Sequence, residues 1–245
     1  MSSDTSSSEA VERTRVWLST TRIAAVVLVL WSAFLQFAVG TIIPPVLAVG
    51  VIFAGLALLL GTGRRWVGLV ATFLGMAAVG GNVPSMVEEL SHPSSAFAFI
   101  LTLIATTAGV VLMVSGLAAF FRWPPRRAMV VWPGVAVIVI GSALALVAAS
   151  RVESVPMVEG DIVVVAKANE FSPDSLTATS GQVSIWIDNQ DGARHTFTAP
   201  GLGVDAEVVG LKSQRVEFEA PAGEYVFFCT VVGHEQMATT LVVNG

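Results

Sequence analysis

The sequence predicts a two-part fold, an α-helical membrane domain of about five transmembrane helices followed by an all-β antiparallel sandwich, and three observations support it. Of 245 residues, 54% are hydrophobic and only 13% are charged, about half the charged share of an ordinary soluble domain. The apolar residues gather into five long runs before residue 150, whereas period-two alternation takes over beyond residue 160. Charge divides at the same place. Residues 1–150 hold eight Arg, no Lys and five acids, a formal +3, and residues 151–245 hold five basic and thirteen acidic groups, a formal −8. Such a chain is neither a disordered polymer nor a nucleic-acid binder that works through a basic surface.

Residues 1–22 open with a Ser-rich stretch that predicts a disordered cytoplasmic tail. The first basic residue comes late and the apolar run after it is long, which argues against a cleaved secretory signal. Ala38-Val39-Gly40 does resemble a small-residue cleavage site, so loss of the first helix is the alternative.

Residues 23–150 form the expected five-helix membrane domain, with apolar runs at 23–43, 46–60, 66–82 or a little beyond, 95–121 and 128–149. A helix rising 1.5 Å per residue needs about 20 residues to cross a ~30 Å hydrocarbon core. Four runs meet that length, and the second does so by recruiting Pro45 and Gly61, a Pro being well tolerated in a first helical turn. Arg13, Arg15, Arg22, Arg64, Arg65, Arg122, Arg126 and Arg127 all fall on one side of this arrangement. The loops near Pro44 and at 84–94 carry no basic residue other than His92. An excess of Arg marks the cytoplasmic side, which puts the N-terminus inside and the C-terminal domain outside. No His lies in a span, which argues against transmembrane haem, and Gln36, Asn82 and the scattered Ser and Thr read as helix-packing groups. Glu88, Glu89 and His92 read as a solvated outer loop.

Residues 151–160, with Pro156 and Gly160, predict a linker that reaches at most ~35 Å when extended. Beyond it, strands are expected at 161–168, 176–179, 182–188, 196–198, 215–219, 224–229 and 239–243. Val183, Ile185 and Ile187 alternate with Gln182, Ser184, Trp186 and Asp188; Val216 and Phe218 alternate with Arg215, Glu217 and Glu219. A single Cys excludes an intrachain disulfide, a Cys-pair redox motif and a four-Cys zinc site. That Cys229 stands at a strand end, five residues before His234 and eight before Met237. A thiolate and two imidazoles in a plane with a weak axial thioether is the donor set of a mononuclear blue-copper site, and His195 is the remaining imidazole of this domain.

Several segments make the resemblance specific: Phe171-Ser172-Pro173, Gly181 with the Trp186 strand, Asn189 six residues before His195-Thr196-Phe197, Pro221-Ala222-Gly223-Glu224-Tyr225, and Cys229 to Met237. Together they resemble the cupredoxin family of plastocyanin-like blue-copper proteins, over residues 161–245 and none of the membrane part. The resemblance implies a Greek-key sandwich in which His195, Cys229, His234 and Met237 bind one copper that cycles between Cu(I) and Cu(II). It also implies that Asn189 and the backbone near Thr196 stiffen the site, and that the exposed edge of His234 passes the electron. Four residues separate Cys229 from His234 and two separate His234 from Met237, and loop length varies within the family. Gln236 is therefore the alternative axial donor.

Three His in the whole chain cannot supply the extra clusters of multicopper oxidases or copper nitrite reductases, and one Cys cannot build a binuclear copper centre. The expected function is therefore non-enzymatic: one-electron transfer by a membrane-tethered copper protein at the extracytoplasmic face of the cytoplasmic membrane. The alternative is copper acquisition, delivery or sensing, which would engage Met86, Glu88, Glu89 or His92. Expected partners are the lipid bilayer and a membrane-embedded or membrane-docked redox protein whose basic surface complements the −8 charge. Val231, Val232, Pro200, Gly201 and Leu202 are the expected apolar docking patch.

Overall fold

The computed structural model describes residues 2–39, 42–234 and 236–245. The chain divides into two compact units, Met1–Val83 with Leu101–Gly141, and Pro84–Ile100 with Ser142–Gly245. Its helices are α1 (Ser2–Val39), α2 (Pro44–Leu60), α3 (Trp66–Gly80), α4 (Val83–Leu90), α5 (Ala96–Phe121) and α6 (Ala128–Ser150).

Three of these helices are long and apolar enough to cross a membrane: α1 over Ser8–Ala38, α5 and α6. Helices α3 and α4 meet at a 60° bend and make a fourth if the pair is taken as one span. The expectation of five is therefore corrected to three or four. Helix α2 stops after 17 residues at Gly61, and α3 stops at Gly80, where the run Gly80-Gly81-Asn82 supplies poor helix formers.

The opening segment differs as well. Where a disordered tail was expected, α1 begins at Ser2. Thr14, Trp17, Leu18 and Thr21 are buried, and the Trp17 indole N–H donates to the Trp123 carbonyl at 3.0 Å. This packed turn extends the apolar helix backwards, and Arg13 pairs with Glu9 one turn earlier. The cleavage-like Ala38-Val39-Gly40 ends at Gly40, outside the described residues.

Several polar side chains within the first unit pair with one another or with backbone, as the sequence suggested, although Thr106 Oγ1 is buried without a hydrogen bond among the described residues. The Gln36 side chain bonds both the N–H and the carbonyl of Ile43, Thr21 donates to Ser115 at 2.9 Å, and Thr72 reaches the carbonyls of Gly68 and Met113. A Cβ at Gly68 would stand 2.5 Å from the Gly116 carbonyl oxygen, and the converse distance is also 2.5 Å. Only glycine lets α3 and α5 approach this closely.

Among the described residues the second unit holds nine strands: β1 (Ile162–Lys167), β2 (Glu170–Ser172), β3 (Ser175–Thr179), β4 (Gly181–Asn189), β5 (His195–Ala199), β6 (Val204–Val208), β7 (Ser213–Ala220), β8 (Gly223–Phe228) and β9 (Ala238–Asn244). They form a four-stranded sheet in the order β2-β1-β4-β7 and a five-stranded sheet in the order β3-β9-β8-β5-β6. The sandwich is mixed rather than wholly antiparallel, because β1 runs parallel to β4 and β3 parallel to β9. Period-two alternation reports which side chains face inward but not the direction of the neighbouring strand. Val183, Ile185 and Ile187 are buried as expected, in a core with Phe171, Phe197, Phe227 and Leu241. Phe227 stacks on Phe197 at 4.2 Å between ring centres, and Phe171 meets the edge of Phe197.

Two strands were not anticipated. The hairpin from β1 to β2 turns through Ala168 and Asn169, both at positive φ, so no Gly marks it. Strand β6 alternates Val204, Ala206 and Val208 with Asp205 and Glu207 over only five residues.

The linker is also tied down within this unit. The Val155 N–H donates to the Ser213 carbonyl, and the Val155 carbonyl accepts from Ser213 Oγ and from the Trp186 indole, both at 2.7 Å. The free reach is therefore shorter than the extended estimate.

Candidate metal centre

The Cys229 thiol follows β8 directly, and its backbone N–H donates to the Met237 carbonyl at 3.0 Å. The loop between them closes tightly: the His234 N–H bonds the Val231 carbonyl, the Met237 N–H bonds the His234 carbonyl, and Gly233 takes a positive φ of 90°. Chain closure thus fixes the thiol, the second imidazole and the thioether by local geometry. His195 opens β5, which pairs with β8 at Thr198 and Phe228, and that register brings its ring to the thiol.

The three donors form a triangle. His195 Nδ1 lies 3.1 Å from His234 Nδ1, and each nitrogen lies 3.9 Å from Cys229 Sγ. A point in their plane equidistant from all three is about 2.1 Å from each, the bond range of a first-row metal to imidazole nitrogen and thiolate sulfur. His195 and Met237 are fully buried and Cys229 is nearly so. His195, Cys229 and His234 form the metal-capable group of His, Cys and carboxylate side chains found among the described residues.

Neighbours orient the donors. The second nitrogen of His195, Nε2, stands 2.9 Å from Asp191 Oδ2, an acceptor that keeps a proton on Nε2 and so makes Nδ1, which faces the thiol, the nitrogen free to serve a metal. Asp191 also accepts the backbone N–H groups of Ala168 and Asn169. Burial pushes the Asp191 carboxyl up, but the hydrogen bond from His195 and those two N–H groups hold it below the usual range. Burial likewise presses His195 toward neutrality, and its bonds to Asp191 and Cys229 overcome that and raise it. For Cys229, burial raises the thiol, yet His195, His234 and the N–H groups of Thr196 and Val231 bring it down to about 5. Two imidazole nitrogens and a thiol sulfur that otherwise share protons suit a cation that replaces those protons, since metal ligands of this type bind in their deprotonated states.

Asn189, buried at 1% exposure, braces the loop before His195. Its amide donates to the carbonyls of Ala193, Val208 and Val209, and its Oδ1 accepts the Asp191 N–H. The Thr196 N–H points at Cys229 Sγ at 3.4 Å, and Thr196 Oγ1 accepts from the Thr230 N–H. Both bracing positions were legible in the sequence, whereas Asp191 was not singled out. Its signal was its place one helical-turn length before His195 in an Asp-Gly turn.

Two expectations change here. Val231 is buried in the core rather than in an apolar patch, leaving Val232, Pro200 and Gly201 exposed. Of Glu88, Glu89 and His92, expected in a solvated loop, only His92 lies in a loop, where it is half-buried. The two acids lie on α4, where Glu88 pairs with Arg194, because an almost fully buried guanidinium requires a counter-charge.

Fold and donor set together define a β-sandwich with a mononuclear copper site. Residues 136–243 match the family model of the cupredoxin-like domain, and this part of the chain is a cupredoxin-like domain whose cofactor is one copper ion. The match begins inside α6. Similar solved structures include a mutant of amicyanin in its Cu(I) form, at 20% identity over 38% of this chain and 90% of that one, with a TM-score of 0.30. A copper-containing nitrite reductase from Thermus scotoductus is similar at 20% identity over 38% of this chain and 24% of that one, TM-score 0.29. A chain of a haem-copper terminal oxidase dimer is similar at 18% identity over 48% of this chain and 99% of that one, TM-score 0.29. No curated protein sequence matches.

Proposed function

We propose that this chain is a membrane-tethered type 1 copper protein that transfers single electrons and catalyses no reaction of its own. The observation that carries the reading is the triangle of His195 Nδ1, His234 Nδ1 and Cys229 Sγ, whose centre suits one first-row metal ion. His195, Cys229, His234 and Met237 would hold the copper, with Gln236 as the alternative to Met237. Copper supplies the one-electron couple. The protein residues hold the donors in place: Asp191 fixes the His195 tautomer, Thr196 donates to the thiolate, and Asn189 keeps the loop between them rigid. Buried, cross-braced donors change little between two charge states, which favours outer-sphere transfer over binding a substrate.

The arginine distribution supports an N-terminus on the cytoplasmic side and a copper domain on the extracytoplasmic face of the cell membrane. Residues 151–245 with their formal −8 suit a redox partner that presents a basic surface in or on the same membrane. Association should then weaken with added salt.

The test is the visible spectrum of the purified full-length chain after addition of Cu(II). A strong thiolate-to-copper band with a reversible potential is expected, and Cys229→Ser should abolish the band. A colourless, readily exchanged copper in the wild-type chain would sustain copper acquisition or delivery instead. A band that survives Cys229→Ser would sink the site.

A further inference from the structure

The second unit recruits residues 84–100 alongside the sandwich, and their contacts converge on the two loops that border His195. Arg194 directly precedes His195 in the chain. Its side chain is 8% exposed and meets Glu88 of α4, with Glu207 a more distant partner at 3.7 Å. Ser95 Oγ accepts the Gly210 N–H at 3.2 Å. Gly192 offers bare backbone to the Phe97 ring, because a Cβ there would run into the ring atoms. An ion pair, a hydrogen bond and a ring contact thus reach the loop 190–194 that leads into His195 and the neighbouring segment 209–212, to which that loop is bonded through the Leu211 N–H and the Asp191 carbonyl.

Glu89 follows Glu88 and is turned about 100° around the helix. Its Oε2 is buried and makes no hydrogen bond among the described residues. Burial raises this carboxyl, while His234 first, then His92 and His195, act on it in the opposite direction. Three histidines, His234 foremost, thus act electrostatically on one carboxyl whose Oε2 is buried without a hydrogen bond among the described residues.

We propose that residues 88–97 form a built-in cap on the ligand end of the sandwich, in which Glu88 holds Arg194 and hence the His195 loop, and Glu89 is a positioning residue for His234. In this arrangement Glu89 is the acceptor available to the imidazole N–H of His234, the proton left when Nδ1 serves the metal. A carboxylate beside the site also favours the more positive oxidation state, so it lowers the reduction potential. The proposal rests on the copper reading above for its Glu89 half and is independent of it for its Glu88 half.

The experiment uses the full-length chain in detergent with Glu89→Gln, Glu89→Asp and Glu88→Gln, at a pH well above the ordinary carboxylate range. With copper bound, Glu89→Gln should shift the midpoint potential upward while the thiolate-to-copper band persists, and Glu89→Asp should restore the wild-type value. In the copper-free protein, Glu88→Gln should speed amide exchange at residues 192–196 severalfold and leave β3 and β9 unchanged. An unchanged potential in Glu89→Gln, or a shift in Glu89→Asp as large as in Glu89→Gln, overturns the role of Glu89. Unchanged exchange in Glu88→Gln overturns the cap. A wild-type chain without the band refutes the copper reading and with it the role of Glu89, and leaves the exchange result to decide the cap.

Discussion

Replacing Asn189 with Ala tests whether the donor loop is held by one buried amide. The amide group has two hydrogens and faces three carbonyls at 2.9, 3.0 and 3.2 Å, and Oδ1 accepts one N–H at 3.0 Å. Two full donated bonds and one accepted bond, at about 1 kcal/mol net each, give a cost of about 3 kcal/mol. At about 1.4 kcal/mol per factor of ten, that is roughly a hundredfold in an opening equilibrium. The assay is amide hydrogen exchange in the copper-free, full-length chain, read over β4, β5 and β6. Protection there should fall by about two orders of magnitude. Asn189→Asp should do no better, since an ionised carboxylate would face three carbonyl oxygens in the same buried space. A loss smaller than about threefold in Asn189→Ala would refute the reasoning, because it would mean that strand pairing holds the loop without the amide.

Three other outcomes follow from the same geometry. Asp191→Asn weakens the acceptor of the His195 N–H, so copper affinity measured by chelator competition should drop by about 10- to 100-fold, the usual loss for such an outer partner. The Cys229 thiol, lowered from an ordinary value of 9.0 to about 5, contributes stability to the copper-free fold that is complete above the unfolded thiol's value and is lost as pH falls towards about 5. Thiolate absorbance in the ultraviolet should titrate near that lower value, and a titration near 9 would contradict the hydrogen bonds assigned to the sulfur. Trp186→Phe removes the indole bond to the Val155 carbonyl, worth about 1 kcal/mol. Tryptic cleavage at Arg151 should accelerate by about fivefold, and an unchanged rate would show that the two Ser213 bonds hold the segment by themselves.

Much of the sandwich was legible because its signals are local. Val183, Ile185 and Ile187 declare their face by alternation, and the spacing of Cys229, His234 and Met237 shows three metal-capable side chains in one short loop. Short elements with unusual turns were less visible: β2 follows Ala168 and Asn169 at positive φ, positions that sequence rules assign to Gly. The parallel pairs were illegible for a different reason, since a strand's own residues do not encode the direction of its neighbour. Among the helices, composition marks apolar runs well but fixes their ends poorly, and the bend at Gly80 to Asn82 divides what reads as one polar-ended run.

The sequence by itself determined the kinds of donor, their count and their order: one thiol, two imidazoles within its domain, and a thioether in the same short loop as the thiol. Those are properties of composition and spacing, and no folding is needed to read them. The tertiary structure alone decided the distances at which His195, the one other imidazole of the domain, meets a thiol thirty-four positions away, that Asp191 sets its tautomer, and that Glu88 meets Arg194. Each of these contacts joins residues distant in the chain or turned together by a loop. Their meeting depends on strand register and on which buried charge finds a partner, and both are settled by the packing of the whole unit.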